Sequence, residues 1–248
     1  SKFGISDYDL SNLNLNATLR RGRGNISFNS GNVFLDGGGE ITTQLGKDGM
    51  SATAKTLINR IDMRKFTGKE DTLFIATRIS AKAWANSDMT AYRIGADLDD
   101  TKITAKNSTY PTKDLHLNFG SRKDTLYASL AAGDLDMFLV ADGNIDQVSG
   151  QISKLAALFE EQAENKAIDQ NELRRQFPDM ELYINAGTDN PISNMLRYSS
   201  GYKFDKLRFR IACDTIKGIN GKGHIRSFNL GTLQLDTIGL DIHQDTTG

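Results

Sequence analysis

Residues 73–84 read LFIATRISAKAW, and this stretch decides the fold. Leu73, Ile75, Thr77, Ile79, Ala81 and Ala83 share one parity, while Phe74, Ala76, Arg78, Ser80, Lys82 and Trp84 share the other. Alternation by two sends successive side chains to opposite faces of a strand, whereas a helix needs apolar residues three and four apart. The stretch therefore predicts a strand of about eleven residues, longer than the usual five or six. One face is apolar, and the small residues toward its end suit an extended, curling sheet.

The same rhythm runs outward in both directions. Toward the N-terminus, Leu13, Leu15, Ala17 and Leu19 alternate with Asn and Thr. Ile26 and Phe28 follow a turn at 22–24, Val33 and Leu35 lead into Gly37, Gly38 and Gly39, and Ile41 and Thr43 continue the pattern. Toward the C-terminus come Met89 and Ala91, residues 94–98, Ile103 and Ala105, then Leu115, Leu117 and Phe119, then residues 126–130. Each run is bounded by Asp, Asn, Lys or Gly, and the connections are too short for crossover helices, which predicts antiparallel hairpins. The glycine triplet lacks the strand-to-helix context and the following Lys-Ser/Thr of a phosphate loop, so it reads as a turn or bulge. Arg20, Arg21 and Arg23 have no interleaved aromatic to stack a base and read as solvated turn charges. Residues 69–74 (KEDTLF) echo 122–127 (RKDTLY), which shared turn chemistry explains without a strict repeat.

Between 144 and 199 the period changes. Ile145, Val148, Ile152, Leu155, Ala156 and Phe159 follow helical spacing, with Lys154, Glu160 and Glu161 on the outer side. A second helix is predicted from Asp169, with Glu172 completing a capping box and Phe177-Pro178 as its stop. Strand character returns over Met180, Leu182, Ile184 and Ala186. Asn190 then reads as an N-cap with Pro191 in the first turn, Ile192, Met195 and Leu196 as an inner face, and Gly201 as terminator. These helices are expected to cover the apolar face or an end of the sheet; the acidic polar side of the first argues against a membrane-surface helix. Alternation resumes through Leu207, Phe209, Ile211 and Cys213, then Ile219 to Ile225, Phe228 and Leu230, Leu233 and Leu235, and Ile238, Leu240 and Ile242. The expected class is mainly β: a long curled antiparallel or mixed sheet, trough-like and open, with a few inserted helices. Its organisation is a β-rich meander over 1–143, a helical insertion with one short strand over 144–200, and a continuation of the same sheet over 201–248, all one unit of a longer protein.

Composition narrows the function classes. The 248 residues carry 30 basic and 31 acidic side chains, a net charge of -1, which offers no general field for nucleic acid and leaves room only for a local patch. The single Cys213 cannot form an internal disulfide and sits at an apolar parity, the place of a small buried hydrophobe. No apolar run reaches the ~20 residues of a spanning helix, and the chain starts at Ser1 rather than Met, so an anchor is expected outside it. His116, His224 and His243 fall in separate runs, and Asp97, Asp99, Asp100, Asp134 and Asp136 lack calcium-loop spacing. A Gly-x-Ser-x-Gly elbow is missing. Neither catalysis nor a cofactor or metal is expected.

Residues 180–186 (MELYINA), 189–192 (DNPI), 204–211 (FDKLRFRI), 219–225 (INGKGHI) and 230–242 (LGTLQLDTIGLDI) together resemble the AsmA-like superfamily, especially its TamB branch of the Bacteroidetes type. The resemblance is one of order and style and is strongest over the last seventy or so residues; the helical block departs from it. It implies a periplasmic, cell-envelope protein held in the inner membrane by an N-terminal helix. Its partners would be phospholipid acyl chains and an outer-membrane barrel assembly partner, and its work phospholipid transport, outer-membrane protein assembly, or both. On that reading Leu73, Ile75, Ile79, Leu115, Leu117, Phe119, Leu233 and Leu235 line a groove face open to hydrophobic ligand. A second reading is a sealed β-sandwich or β-solenoid adhesion module, with those residues as core and Trp84 and Tyr92 as recognition aromatics. A third, a polysaccharide-processing enzyme, needs paired carboxylates that the sequence does not single out.

Overall fold

The computed structural model describes residues 4–5, 8–9, 12–63, 73–105 and 108–244. The Lys69–Thr72 half of the echo lies outside them. A two-residue pair, β1 (Gly4–Ile5) and β2 (Tyr8–Asp9), precedes the main sheet. That sheet begins with β3 (Leu13–Arg20), β4 (Arg23–Gly31), β5 (Leu35–Gly46), β6 (Gly49–Asp62) and β7 (Leu73–Asn86). It continues through β8 (Ala91–Ala105), β9 (Ser108–Pro111), β10 (Leu115–Arg122), β11 (Thr125–Ala132) and β12 (Leu135–Asp142). Helices α1 (Ile145–Glu164) and α2 (Gln170–Arg174) precede β13 (Met180–Ala186), and α3 (Pro191–Ser200) follows it. The last strands are β14 (Lys206–Asp214), β15 (Gly218–Leu230) and β16 (Leu233–His243).

All fourteen strands of the main sheet pair antiparallel, and their order in space is their order in the chain. Only β9 lies off this path, folded back on β8. The fold is thus mainly β, one open antiparallel sheet with three short helices, and the mixed alternative is removed. Thirteen strands at ~4.8 Å spacing make a surface roughly 58 Å across.

Short hairpins follow from turn chemistry. Arg21 and Gly22 both take positive φ, 47° and 77°, the type I′ geometry whose twist matches its flanking strands. The glycine triplet lies inside β5, with a bulge between Asp36 and Gly37. A Cβ on Gly37 would sit 2.5 Å from the Leu57 carbonyl oxygen, so the strands can approach here only without a side chain. Further irregularities fall between Ile58 and Ile61 and between Ala76 and Arg78, the latter opposite Asp100 at φ 53°. Val33, expected in a strand, occupies the turn before β5 and is 74% exposed.

Helix caps form largely where the pattern placed them. Asn190 accepts from Ser193 N, Pro191 opens α3 and Gly201 ends it at φ 76°. Asp169 accepts from the Asn171 and Glu172 backbones, but Glu172 does not close a box: its carboxylate takes the Gln162 side-chain amide instead, and α2 ends at Arg174, before Phe177. The reciprocal box is at α1, between Asn144 and Gln147. The expected inner stripe of α1 is mostly uncovered, since Val148 alone of those six is buried while Ile152 and Phe159 are 46% and 57% exposed. In α3 the buried side chains are Ser193 and Asn194, with Ile192 outward; the Met195 side chain lies outside the described residues.

Buried apolar residues gather at strand ends instead of in one central core. Val148 of α1 packs on Leu126 and Ala141, with Phe119 and Met180 against them. Leu73, Ile103, Ala105 and Met63 form another cluster.

Candidate functional site: an apolar sheet face with a central recess

Register decides which side chains share a face. Ile79 opposes Leu98, Leu117 opposes Ala96 and Leu130, Leu130 opposes Met137, and Met137 opposes Ile184, which opposes Phe209. The same parity continues outward to Leu15 opposite Phe28 on one side and to Leu240 opposite Gly223 on the other. The pairings from β3 to β14 keep this apolar set on one face, because a one-residue slip would transfer it to the polar face, whereas Phe228, Leu230, Leu233 and Leu235 at the β15–β16 turn have the opposite parity. No second layer covers that face among the described residues: Leu15, Leu19 and Leu240 are 64%, 70% and 49% exposed.

Over β10–β13 the face divides into four rows. At one end, Leu126, Ala141 and Cys213 are buried beside Val148 of α1 and the Pro178 carbonyl. At the other, Ala132, Leu135 and Ala186 are buried near the 187–190 loop and α3, which reaches back to β8. The two middle rows stay open and form a recess of about 440 Å³, lined by Ile94, Ala96, Leu117, Phe119, Ala128, Leu130, Met137, Leu139 and Leu182, with the intervening rung of Asn118, Ser129 and Phe138 crossing it. Helix-capped ends with an open middle are what a one-sided sheet needs to hold an apolar guest without exposing its strand termini.

A polar clamp fixes the α3 end. Asn190 is fully buried, and its amide donates to Asp134 Oδ1 at 2.8 Å and to the Gly187 carbonyl, while Ser193 Oγ donates to that same carbonyl. Burial raises the Asp134 pKa, but hydrogen bonds from Asn190 and from the Asp189, Gly187 and Thr188 backbones outweigh it and hold the carboxyl below its ordinary range. On the polar face, Asp97 bonds His116 Nδ1 at 2.8 Å and raises its pKa.

Desolvation pushes the Cys213 thiol up to about 11, and its Sγ donates to the Pro178 carbonyl at 3.3 Å. The thiolate is the reactive form. A thiol-specific reagent at pH 7 should therefore label native protein only slowly and react at once after denaturation; rapid stoichiometric labelling of folded protein would contradict this burial.

Of the eight sequence-derived groove residues, Leu117 and Phe119 line the recess, with Leu115 one row further toward α3. Ile75 and Ile79 share its face on β7, and Leu73 is buried with Ile103 and Ala105. Leu233 and Leu235 oppose Leu230 and Phe228 and have the opposite parity to Ile238, Leu240 and Ile242. Between the two sets the ladder skips Ser227, at φ 56°, with the same register on either side of it. Residues not singled out from sequence include Ile94, Leu130, Met137, Leu139 and Leu182. Their signal was present as parity; assigning them needed the register of four successive strand pairings.

Among the described residues no group of three or more His, Cys, Asp or Glu is placed to hold a metal ion, and no helix is long and apolar enough to cross a membrane. No family model, curated protein or solved structure matches this chain.

Proposed function

We propose that this chain is a segment of a periplasmic, AsmA-like envelope protein of the TamB type, a non-catalytic carrier whose apolar sheet face receives phospholipid acyl chains. Such a face would serve lipid transport between membranes and the assembly of outer-membrane proteins with a barrel partner. One observation carries the reading: the recess over β10–β13 stays open between helix-capped ends, on a face that continues uncovered to both edge strands. An acyl chain laid there is held by non-directional burial at about 0.8 kcal/mol per methylene, so it needs no fixed polar partner and can shift along the rows. A sealed adhesion module would want Leu15, Leu19 and Leu240 covered, and they are exposed.

The test is site-specific photocrosslinking in cells. Probes at Leu117, Leu130 and Leu182 should yield phospholipid adducts, and probes at Asp136 and Asn185, opposite each other on the other parity and outside the recess, should not. Native mass spectrometry of gently purified protein should show the same lipid. Folded protein without adducts at all three apolar positions, or with equal adducts on both faces, would overturn the proposal.

A further inference from the structure

The polar face is not uniform. On β14 and β15 its side chains meet as like-charged pairs, Lys206 opposite Arg226 and Arg210 opposite Lys222, with Arg208 opposite His224 between them. Like charges directly opposite cost a sheet stability. Only two carboxylates approach: Glu181 engages Arg210, and Asp241, which opposes Lys222 in the β15–β16 ladder, bonds His243 Nε2 at 2.8 Å. Among the described residues no carboxylate pairs with Lys206, Arg208, Lys222 or Arg226. A chain with net charge -1 thus gathers five Lys and Arg on one side of two adjacent strands.

The patch is also hollow. A recess of about 510 Å³ is lined by Arg208, Arg210, Lys222, His224 and Tyr183, with Asp241 as its one carboxylate and the Phe209, Gly223 and Leu240 rung crossing it, and it reaches Gly239, which opposes His224. A Cβ at Gly239 would meet nothing within 4 Å, so this rung of the ladder is left without a side chain beside the arginine–histidine pair. Successive cationic rungs repeat every two residues, roughly 6.7 Å. One carboxylate would neutralise a single group here; a phosphate carries close to two charges and accepts the guanidinium fork bidentately.

We infer that the recess over β14–β16 is a binding site for a multiply phosphorylated ligand, with Arg208 and Lys222 as its principal contacts. The site lies on the face opposite the apolar recess and stands whether or not that recess carries lipid.

Calorimetric titration of the intact chain with pyrophosphate, alongside flotation with vesicles containing cardiolipin, whose headgroup carries two phosphates, tests it. Pyrophosphate should bind at 150 mM salt and outcompete malonate. Arg208→Gln combined with Lys222→Gln should weaken it at least about tenfold, and Lys82→Gln with Arg93→Gln, on the same face elsewhere, should leave it unchanged. Vesicle binding lost in the first variant, with soluble pyrophosphate equally weakened, supports the site and names a lipid headgroup as source; pyrophosphate binding without vesicle binding supports it with a soluble source. Absence of pyrophosphate binding, equal affinity for malonate, or equal losses in both variants would overturn it. Each variant is first checked for unchanged strand content by circular dichroism.

Discussion

Leu135→Ala should lower the unfolding free energy by about 3–4 kcal/mol, toward the upper half of the range for a buried leucine truncation. Leu135 is 1% exposed at the first position of β12 and opposes Ala132, itself buried. Its surroundings cannot close on a void. Ala132 and Ala186 carry only a methyl group and cannot reach into the space, and the loop above is pinned by Asn190 bridging Asp134 and Gly187. The same truncation at Leu130, one turn of the hairpin away but in the open recess, should cost about 1 kcal/mol, because solvent fills the space left. Urea denaturation of the two variants side by side measures the difference. Equal losses would mean that the α3 end is no better packed than the recess. Domain stabilities are about 5–15 kcal/mol, so the first change removes a large share of the total.

The second large effect is on binding. Leu117 and Leu130 face each other across β10 and β11, and Leu117 is 37% exposed. Replacing both with Glu places two like charges on the floor of the recess. An acyl chain would then desolvate carboxylates instead of covering methyl groups, at several kcal/mol. Affinity for a fluorescent fatty acid should fall by at least about 100-fold. The matched control, Asn16→Glu with Ser27→Glu, puts the same two charges directly opposite each other on the polar parity of β3 and β4. Neither side chain lines the recess, and the control should bind as the parent does. Equal weakening by the two pairs would locate the guest elsewhere.

The strands were legible because their code is local. Parity alone assigned Leu73 through Ala83 to one side of β7, and Asn190, Pro191 and Gly201 marked α3 to the residue. Distances between hairpins were not local. The recess depends on Leu117, Leu130 and Met137 falling into one row across three strands, and that row exists only once each register is known. The α1 stripe misled for a related reason. Helical spacing says which residues share a side, but not whether a surface is within reach, and only Val148 finds one. Leu233 and Leu235 differ in parity from Ile238, Leu240 and Ile242, a three-residue step from Leu235 to Ile238 that is visible in the sequence itself. The basic block was invisible as a block. Lys206, Arg208, Lys222 and Arg226 are dispersed in sequence and meet only through the β14–β15 ladder.

That each strand of the main path lies beside its predecessor has a consequence for how the molecule is made. Contacts of this kind close small loops, so nucleation does not wait for distant segments to find each other, and ordering spreads by nearest-neighbour addition as in a solenoid. A polypeptide emerging N-terminus first can therefore zip each new hairpin onto the growing edge before the next has left the ribosome or pore. By the same logic, shaving β16 from the finished molecule unfastens a single ladder and leaves the pairing of β3 through β15 standing.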